Sequence, residues 1–227
     1  FNDHISAHII AIILSFSQHL NLYRDQQNAR NWNKLSPPTH HSIFLPESEA
    51  LIVGLGGIGN ETARLCAALG IKVRAVDARR HNKPDWVTDL NPPDTLEQLL
   101  PSADFVIVTI PHTPLTRGLF DMTKFSLMKN TAIFVNIGRG LTTKLDDLVK
   151  ALETGEIAGA GLDVYEIEPL PKKHPLWAMQ NAILTPHIAA QSGSHLNDRK
   201  YEIILENTRN LINGTPLKNL VDKKYWY

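Results

Sequence analysis

One cysteine, Cys66, stands among 227 residues, so no disulfide can close within the chain. A lone thiol fits a reducing setting, and the expected location is cytoplasmic. A surplus of charge is also missing: 23 Lys and Arg balance 23 Asp and Glu. Without a basic excess there is no electrostatic argument for nucleic acid or an anionic membrane as partner. No run is long enough to span a bilayer, and Ile9-Ile10-Ala11-Ile12-Ile13-Leu14 is the nearest approach. Nor does that run read as a signal peptide, because no Lys or Arg precedes it and His4, His8 and His19 surround it. It reads as an apolar helix, started near Asn2 or Asp3, that packs against protein. Internal repeats and low-complexity segments are absent too. The first residue is Phe1 rather than Met, as expected of a chain that begins partway through a larger product, or equally of processing or trimming.

What is present is ordinary globular composition, 43% hydrophobic and 20% charged. The length fits one large domain, or one with extra segments. Residues 24–48 are polar and contain Pro37, Pro38 and Pro46, so they read as a connector. From Ala50 the pattern changes. Short apolar strands are predicted over 51–53, 71–76, 105–110, 132–135, 157–164 and 182–184. Helices are predicted over 58–69, 95–100, 144–152 and 194–212, with residues 78–93 mostly loop. Cys66 falls in the first of these helices, where a packed thiol is expected. Short apolar strands alternating with helices predict an α/β chain, a doubly wound parallel sheet covered on both faces. Three segments follow: 1–48 a linking helix and connector, 49–186 the sheet domain, and 187–227 a C-terminal helix and tail.

The turn Gly54-Leu55-Gly56-Gly57-Ile58-Gly59 follows the first strand and opens a helix, and the next strand ends at Asp77. A Gly-x-Gly-x-x-Gly string alone is weak, but in this context it predicts a dinucleotide site. Gly54 allows the tight turn, Gly56 admits a pyrophosphate, and Gly59 lets helix and strand approach. The helix N-terminus offers free N–H groups to the phosphates. Asp77 is placed to accept from the adenosine ribose hydroxyls, which favours NAD over NADP. Arg79 and Arg80 oppose that preference, because a guanidinium nearby suits the extra phosphate of NADP, unless both are simply solvated.

Three further residues follow later strands: Arg139 in Asn136-Ile137-Gly138-Arg139-Gly140, Glu168 in Asp163-Val164-Tyr165-Glu166-Ile167-Glu168-Pro169, and His187 in Thr185-Pro186-His187. Ligands of parallel sheets bind at the carboxyl ends of strands, so the three can converge. Reduction of a 2-oxo acid needs a cation for the carboxylate and a proton donor for the carbonyl oxygen. Arg supplies a planar fork for the first and His a proton for the second. A Glu on the other imidazole nitrogen orients the ring and favours its protonated form. Singly, each residue reads as blandly as a loop charge or a turn cap, and Glu166 competes with Glu168.

In these motifs, with Pro111-His112-Thr113-Pro114 and Thr116-Arg117-Gly118, the sequence resembles the D-isomer-specific 2-hydroxyacid dehydrogenases over nearly its whole length. The resemblance implies a Rossmann-like fold and a catalytic Arg139, Glu168 and His187, and it chooses Glu168 as the residue before the proline. It implies a cofactor site of Gly54, Gly56, Gly57, Ile58, Gly59, Asp77, Ala78, Arg79, Pro111, His112, Thr113, Ile137, Gly138 and Asp163, the last on the nicotinamide carboxamide. No metal ligands are assigned. Glu168 argues against the formate-specific branch, which has Gln there. The resemblance also implies that most of a flavodoxin-like substrate domain is absent from this chain. The last helix and tail, ending Lys224-Tyr225-Trp226-Tyr227, would then have apolar surface exposed or covered by another chain. It implies a homodimer joined through the dinucleotide domain, for which the apolar first helix is the candidate surface unless it covers its own sheet. The expected activity is NAD-dependent hydride transfer to a small 2-oxo acid. An NAD-sensing protein like the related corepressors, and a phosphite oxidoreductase, stay open beside it.

Overall fold

The computed structural model describes residues 1–35, 42–190 and 194–223. Pro37, Pro38 and the Lys224–Tyr227 tail of the sequence reading lie outside them. The chain opens with helices α1 (Asn2–Ser17) and α2 (Leu20–Asn28). Strand β1 (Glu49–Val53) leads into α3 (Gly57–Ala68) and β2 (Lys72–Val76). Then come β3 (Asp89–Asn91), the short α4 (Leu96–Leu99), β4 (Phe105–Val108), α5 (Met122–Leu127) and β5 (Ile133–Asn136). Helix α6 (Leu145–Thr154), β6 (Gly159–Leu162), β7 (Ala182–Leu184) and α7 (Ser194–Asn213) complete it.

The seven strands among the described residues are all parallel, in the order β3-β2-β1-β4-β5-β6-β7. The order runs outward in both directions from β1 and β4, so the chain reverses direction between these strands. The crevice at their carboxyl ends is where doubly wound sheets bind ligands. Side chains alternate across the sheet as a two-residue period demands. Leu51, Val106, Val108 and Phe134 face a core shared with Phe120, Phe125 and Leu148. Ile52, Phe105, Ile107, Ile133 and Val135 face the other core, shared with α1 and α3. Strands buried on both faces explain the continuous apolar runs in the sequence.

Three segments differ from the sequence reading. Leu20–Asn28, within and just before the expected connector, is a helix with no buried residue, so no apolar face announces it. The three-residue strand β3 lies in the expected loop 78–93 and pairs with β2 through a backbone ladder and an Arg74–Asp89 ion pair (3.4 Å). The short α5 was also unread, although Asp121 accepts from the Lys124 amide as an N-cap does.

Helix α1 covers its own sheet. Ile9, Ile12, Ile13 and Phe16 are buried in the second core. Gly159 and Gly161 of β6 make room for them, since a Cβ at Gly161 would overlap Ile12 and one at Gly159 would press on Phe16. The face expected to join two copies is therefore used within the chain. Among the described residues no single helix is long and apolar enough to cross a membrane; α1 and α2 together reach that length and composition but meet at 70°.

Candidate active site

The glycine turn is built from the end of β1. Gly54 sits at φ +95°, a region open to glycine at little cost, and its amide donates to the Val76 carbonyl (2.8 Å). At Gly59 any Cβ would collide with the Gly54 carbonyl oxygen, so α3 lies against the turn as no other residue permits. Gly56, the residue before α3, has open space where its Cβ would be. Gly57 is bordered by Asn2 from α1. Ile58 lies on the first turn of α3. An exposed backbone at a helix N-terminus, with room before it, fits a pyrophosphate.

Asp77 closes the turn from the end of β2. One carboxylate oxygen accepts from Leu55 N (2.6 Å) and the other from Arg79 N and Arg80 N (both 2.8 Å). Ala78 and Arg79 are exposed beyond it. The Arg80 guanidinium donates to the carbonyls of Leu55 (3.1 Å) and Asn82 (3.0 Å), folding back over the turn.

Pro111, His112 and Thr113 leave the end of β4 in a loop held by Thr116, whose hydroxyl donates to the Pro111 carbonyl (2.7 Å) and accepts from the Thr113 amide (2.8 Å). Ile137 and Gly138 pass beside it, and a Cβ at Gly138 would press on the Ile110 carbonyl. Asn136, wholly buried, ties this passage: its amide nitrogen reaches the Arg139 carbonyl and the Thr142 and Thr143 hydroxyls, and its oxygen accepts from Gly138 N. That role was not read from the sequence, although Asn136 stands in the quoted motif. Arg139 itself is exposed and donates to the Gly138 carbonyl (2.7 Å).

The two competing glutamates have different partners. Glu166 accepts from the Leu145 amide (2.6 Å) and so caps the start of α6. Glu168 accepts from the Tyr165 amide (2.9 Å) with one oxygen and meets His187 Nδ1 with the other (2.7 Å). Burial raises the Glu168 pKa, but the bonds from His187 and the Tyr165 amide, with the charges of His187 and Arg139, outweigh it and leave the carboxyl below its ordinary value. His187 takes φ +55°, a backbone that L-residues rarely adopt. Such outliers gather where a site holds a side chain in place.

Arg139, Glu168 and His187 line one cleft of about 480 Å³ together with Pro111, His112 and Tyr165. The His112 Nε2 atom is buried and has no hydrogen-bond partner. Asp163 faces the chain's own turn: it is buried and accepts from the Thr185 hydroxyl (2.6 Å), Ile188 N (2.9 Å) and Ala189 N (3.0 Å). Burial raises the Tyr165 phenol above its ordinary range, helped by the charge of Asp163, and its hydroxyl donates to the Leu162 and Thr185 carbonyls. Cys66 lies far from this chemistry in character, a fully buried thiol pushed up to about 12 by burial.

A parallel, doubly wound sheet with a glycine turn at its switch point and a charged cleft at the same strand ends defines a dinucleotide-binding α/β protein of the Rossmann-like class. The chain belongs to the D-isomer specific 2-hydroxyacid dehydrogenase family, whose NAD binding domain model matches residues 10–189. A probable 2-ketogluconate reductase of Dictyostelium discoideum is 32% identical over 224 residues, 97% of this chain and 66% of that protein. The mouse (Mus musculus) glyoxylate reductase/hydroxypyruvate reductase is 36% identical over 80% of this chain and 55% of its own length. The chain thus spans about two thirds or less of these curated relatives. Among solved structures, a D-isomer specific 2-hydroxyacid dehydrogenase from Xanthobacter autotrophicus Py2, in complex with NADPH and MES, superposes with a TM-score of 0.88. It is 30% identical, with 100% of this chain and 90% of that one covered.

Proposed function

We propose that the chain transfers a hydride between a nicotinamide dinucleotide and C2 of a small D-2-hydroxy or 2-oxo acid. The carrying observation is the 2.7 Å contact between His187 and Glu168 in a cleft shared with Arg139. When bound, the nicotinamide supplies or accepts the hydride. Gly54, Gly56, Gly57, Ile58 and Gly59 would hold its pyrophosphate, Asp77 and Ala78 its adenosine ribose, and Pro111, His112, Thr113, Ile137 and Gly138 its nicotinamide half. Arg139 uses one N–H on the Gly138 carbonyl and keeps the rest of its fork for the substrate carboxylate. Glu168 engages Nδ1 of His187, so Nε2 is the nitrogen that exchanges a proton with the substrate oxygen. In reduction that oxygen gains the imidazolium proton while C2 gains the hydride; in oxidation both move the other way.

We propose NAD as the preferred dinucleotide. The Asp77 carboxylate opposes a 2′-phosphate, and Arg80 is drawn onto backbone carbonyls. Arg79 and the NADPH of the Xanthobacter protein argue the other way. Titrations with NADH and NADPH decide it: tighter NADH binding, reversed or levelled in Asp77→Ala, is expected, and tighter NADPH binding by the unsubstituted chain refutes the preference.

The relatives are longer, and turnover by these 227 residues alone is expected to be weak. NADH oxidation is to be measured with glyoxylate, hydroxypyruvate and pyruvate, beside NADH binding in the same samples. His187→Ala is expected to lower whatever turnover is present by about 10²–10⁴ and leave NADH affinity near its starting value. Turnover that survives the substitution refutes the acid role of His187.

A further inference from the structure

The turn that carries His187 is fastened to a distant part of the chain. Thr185, two residues earlier, has one hydroxyl hydrogen, and its short bond to Asp163 Oδ1 (2.6 Å) uses it. The contact at 3.0 Å between Thr185 Oγ1 and His8 Nε2 is then a bond in which the imidazole N–H donates and the hydroxyl accepts. His8 belongs to α1, the helix whose Ile9, Ile12 and Ile13 are locked into the sheet's core. The same helix borders the glycine turn, where Ser6 donates to the Ile58 carbonyl (3.2 Å) and accepts from Thr62 (3.0 Å). Asp163 also accepts from the amides of Ile188 and Ala189, the two residues after His187. Hydrogen bonds to Asp163 and through Thr185 therefore hold the backbone on both sides of the strained residue.

We infer that His8 is a positioning residue for His187, acting through Thr185 and Asp163 to hold the turn in which His187 Nδ1 meets Glu168. The inference rests on the reading of His187 as the proton-moving group. A residue at φ +55° that is not glycine is held by its surroundings rather than by its own preference. The short bond to Asp163 is charge-assisted, and a donor on the far side of the Thr185 hydroxyl strengthens it by fixing its direction. Through α1, one rigid element thus borders the pyrophosphate turn at one end and the proton-moving residue further along.

The test uses the 227-residue chain and the downfield proton resonance of His187 Nδ1–H, assigned by its absence in His187→Ala. His8→Leu removes the donor and His8→Gln keeps an N–H at nearly the same reach. Thr185→Val removes the bridging hydroxyl at constant shape. The resonance is expected to lose most of its intensity through faster exchange with water in His8→Leu and in Thr185→Val, and to persist in His8→Gln. The double variant His8→Leu with Thr185→Val is expected to lose no more than either single one, because both break one chain of bonds. Thermal unfolding of each variant shows that it is folded at the temperature of measurement. An unchanged resonance in His8→Leu overturns the proposal, as do equal loss in His8→Leu and His8→Gln, additive losses in the double variant, or no such resonance in the unsubstituted chain. Failure of 2-oxo acid turnover would count against the proposed reaction and leave this result standing.

Discussion

Helices α1 and α7 are both long and both carry apolar residues, yet they end in opposite environments. In α1, Ile9 and Ile13 are 0% exposed and Gly159 and Gly161 are shaped to receive their neighbours. In α7, Tyr201, Ile204, Leu211 and Ile212 are 64–78% exposed, and Leu196 at its start is buried. Apolar periodicity shows that a helix has a face to bury; it does not say whether the partner lies in the same chain. That difference explains how α1 can bond both beside the glycine turn and to Thr185, while α7 presents a surface that nothing among the described residues covers.

Substitutions in the two helices and in the glycine turn test this contrast. The largest effect is expected in the covered helix: Ile13→Ala removes a wholly buried side chain and should cost about 2–5 kcal/mol, measured by chemical denaturation. A change below ~1 kcal/mol would mean that α1 is only loosely seated. Next comes Gly59→Ala, which forces a methyl group against the Gly54 carbonyl; the expected loss is about 1–3 kcal/mol, with weaker NADH binding. Unaltered binding would contradict the tight helix-to-turn approach. Ile204→Ala on the exposed face of α7 should change stability by less than ~0.5 kcal/mol, or a melting shift of no more than about 2 °C. A cost like that of Ile13→Ala would show that this face is covered.

The smallest effect is that of pH on the dyad. The Glu168 pKa is lowered on folding, so its contribution is fully present above the ordinary carboxylate pKa and is lost as pH falls through the lowered folded value. Glu168→Gln should flatten that acid limb of the stability curve slightly, since the pair is partly exposed to water. An identical acid limb in both proteins would remove the folded-state stabilisation of the Glu168 carboxylate.

The sheet was legible because β4 and β5 are runs of apolar residues with no competing helical period, and because the glycine turn stands between an apolar strand and a helical pattern. Strand β3 was not, being Asp-Leu-Asn held by backbone pairing to β2. Helix α2 was hidden because it buries nothing. At the site, residue type and order picked out Arg139 and His187, but the choice between Glu166 and Glu168 needed the resemblance. The reason is visible in the structure, where one glutamate caps α6 and the other meets His187. The tie from His8 to Thr185 joins residues 177 positions apart. No local pattern marks such a pair, because neither residue breaks a rule of its own element.

The strand ends are proposed to hold a nicotinamide dinucleotide at the glycine turn, separately from the groups that move the proton. Titration of NADH into the chain, followed by its fluorescence, tests this most directly. One NADH per chain is expected, with an affinity weakened about tenfold or more in Gly59→Val, equivalent to at least ~1.4 kcal/mol, and little change in His187→Ala. No NADH binding by the unsubstituted chain, or equal binding by it and Gly59→Val, would rule out a dinucleotide site at this turn.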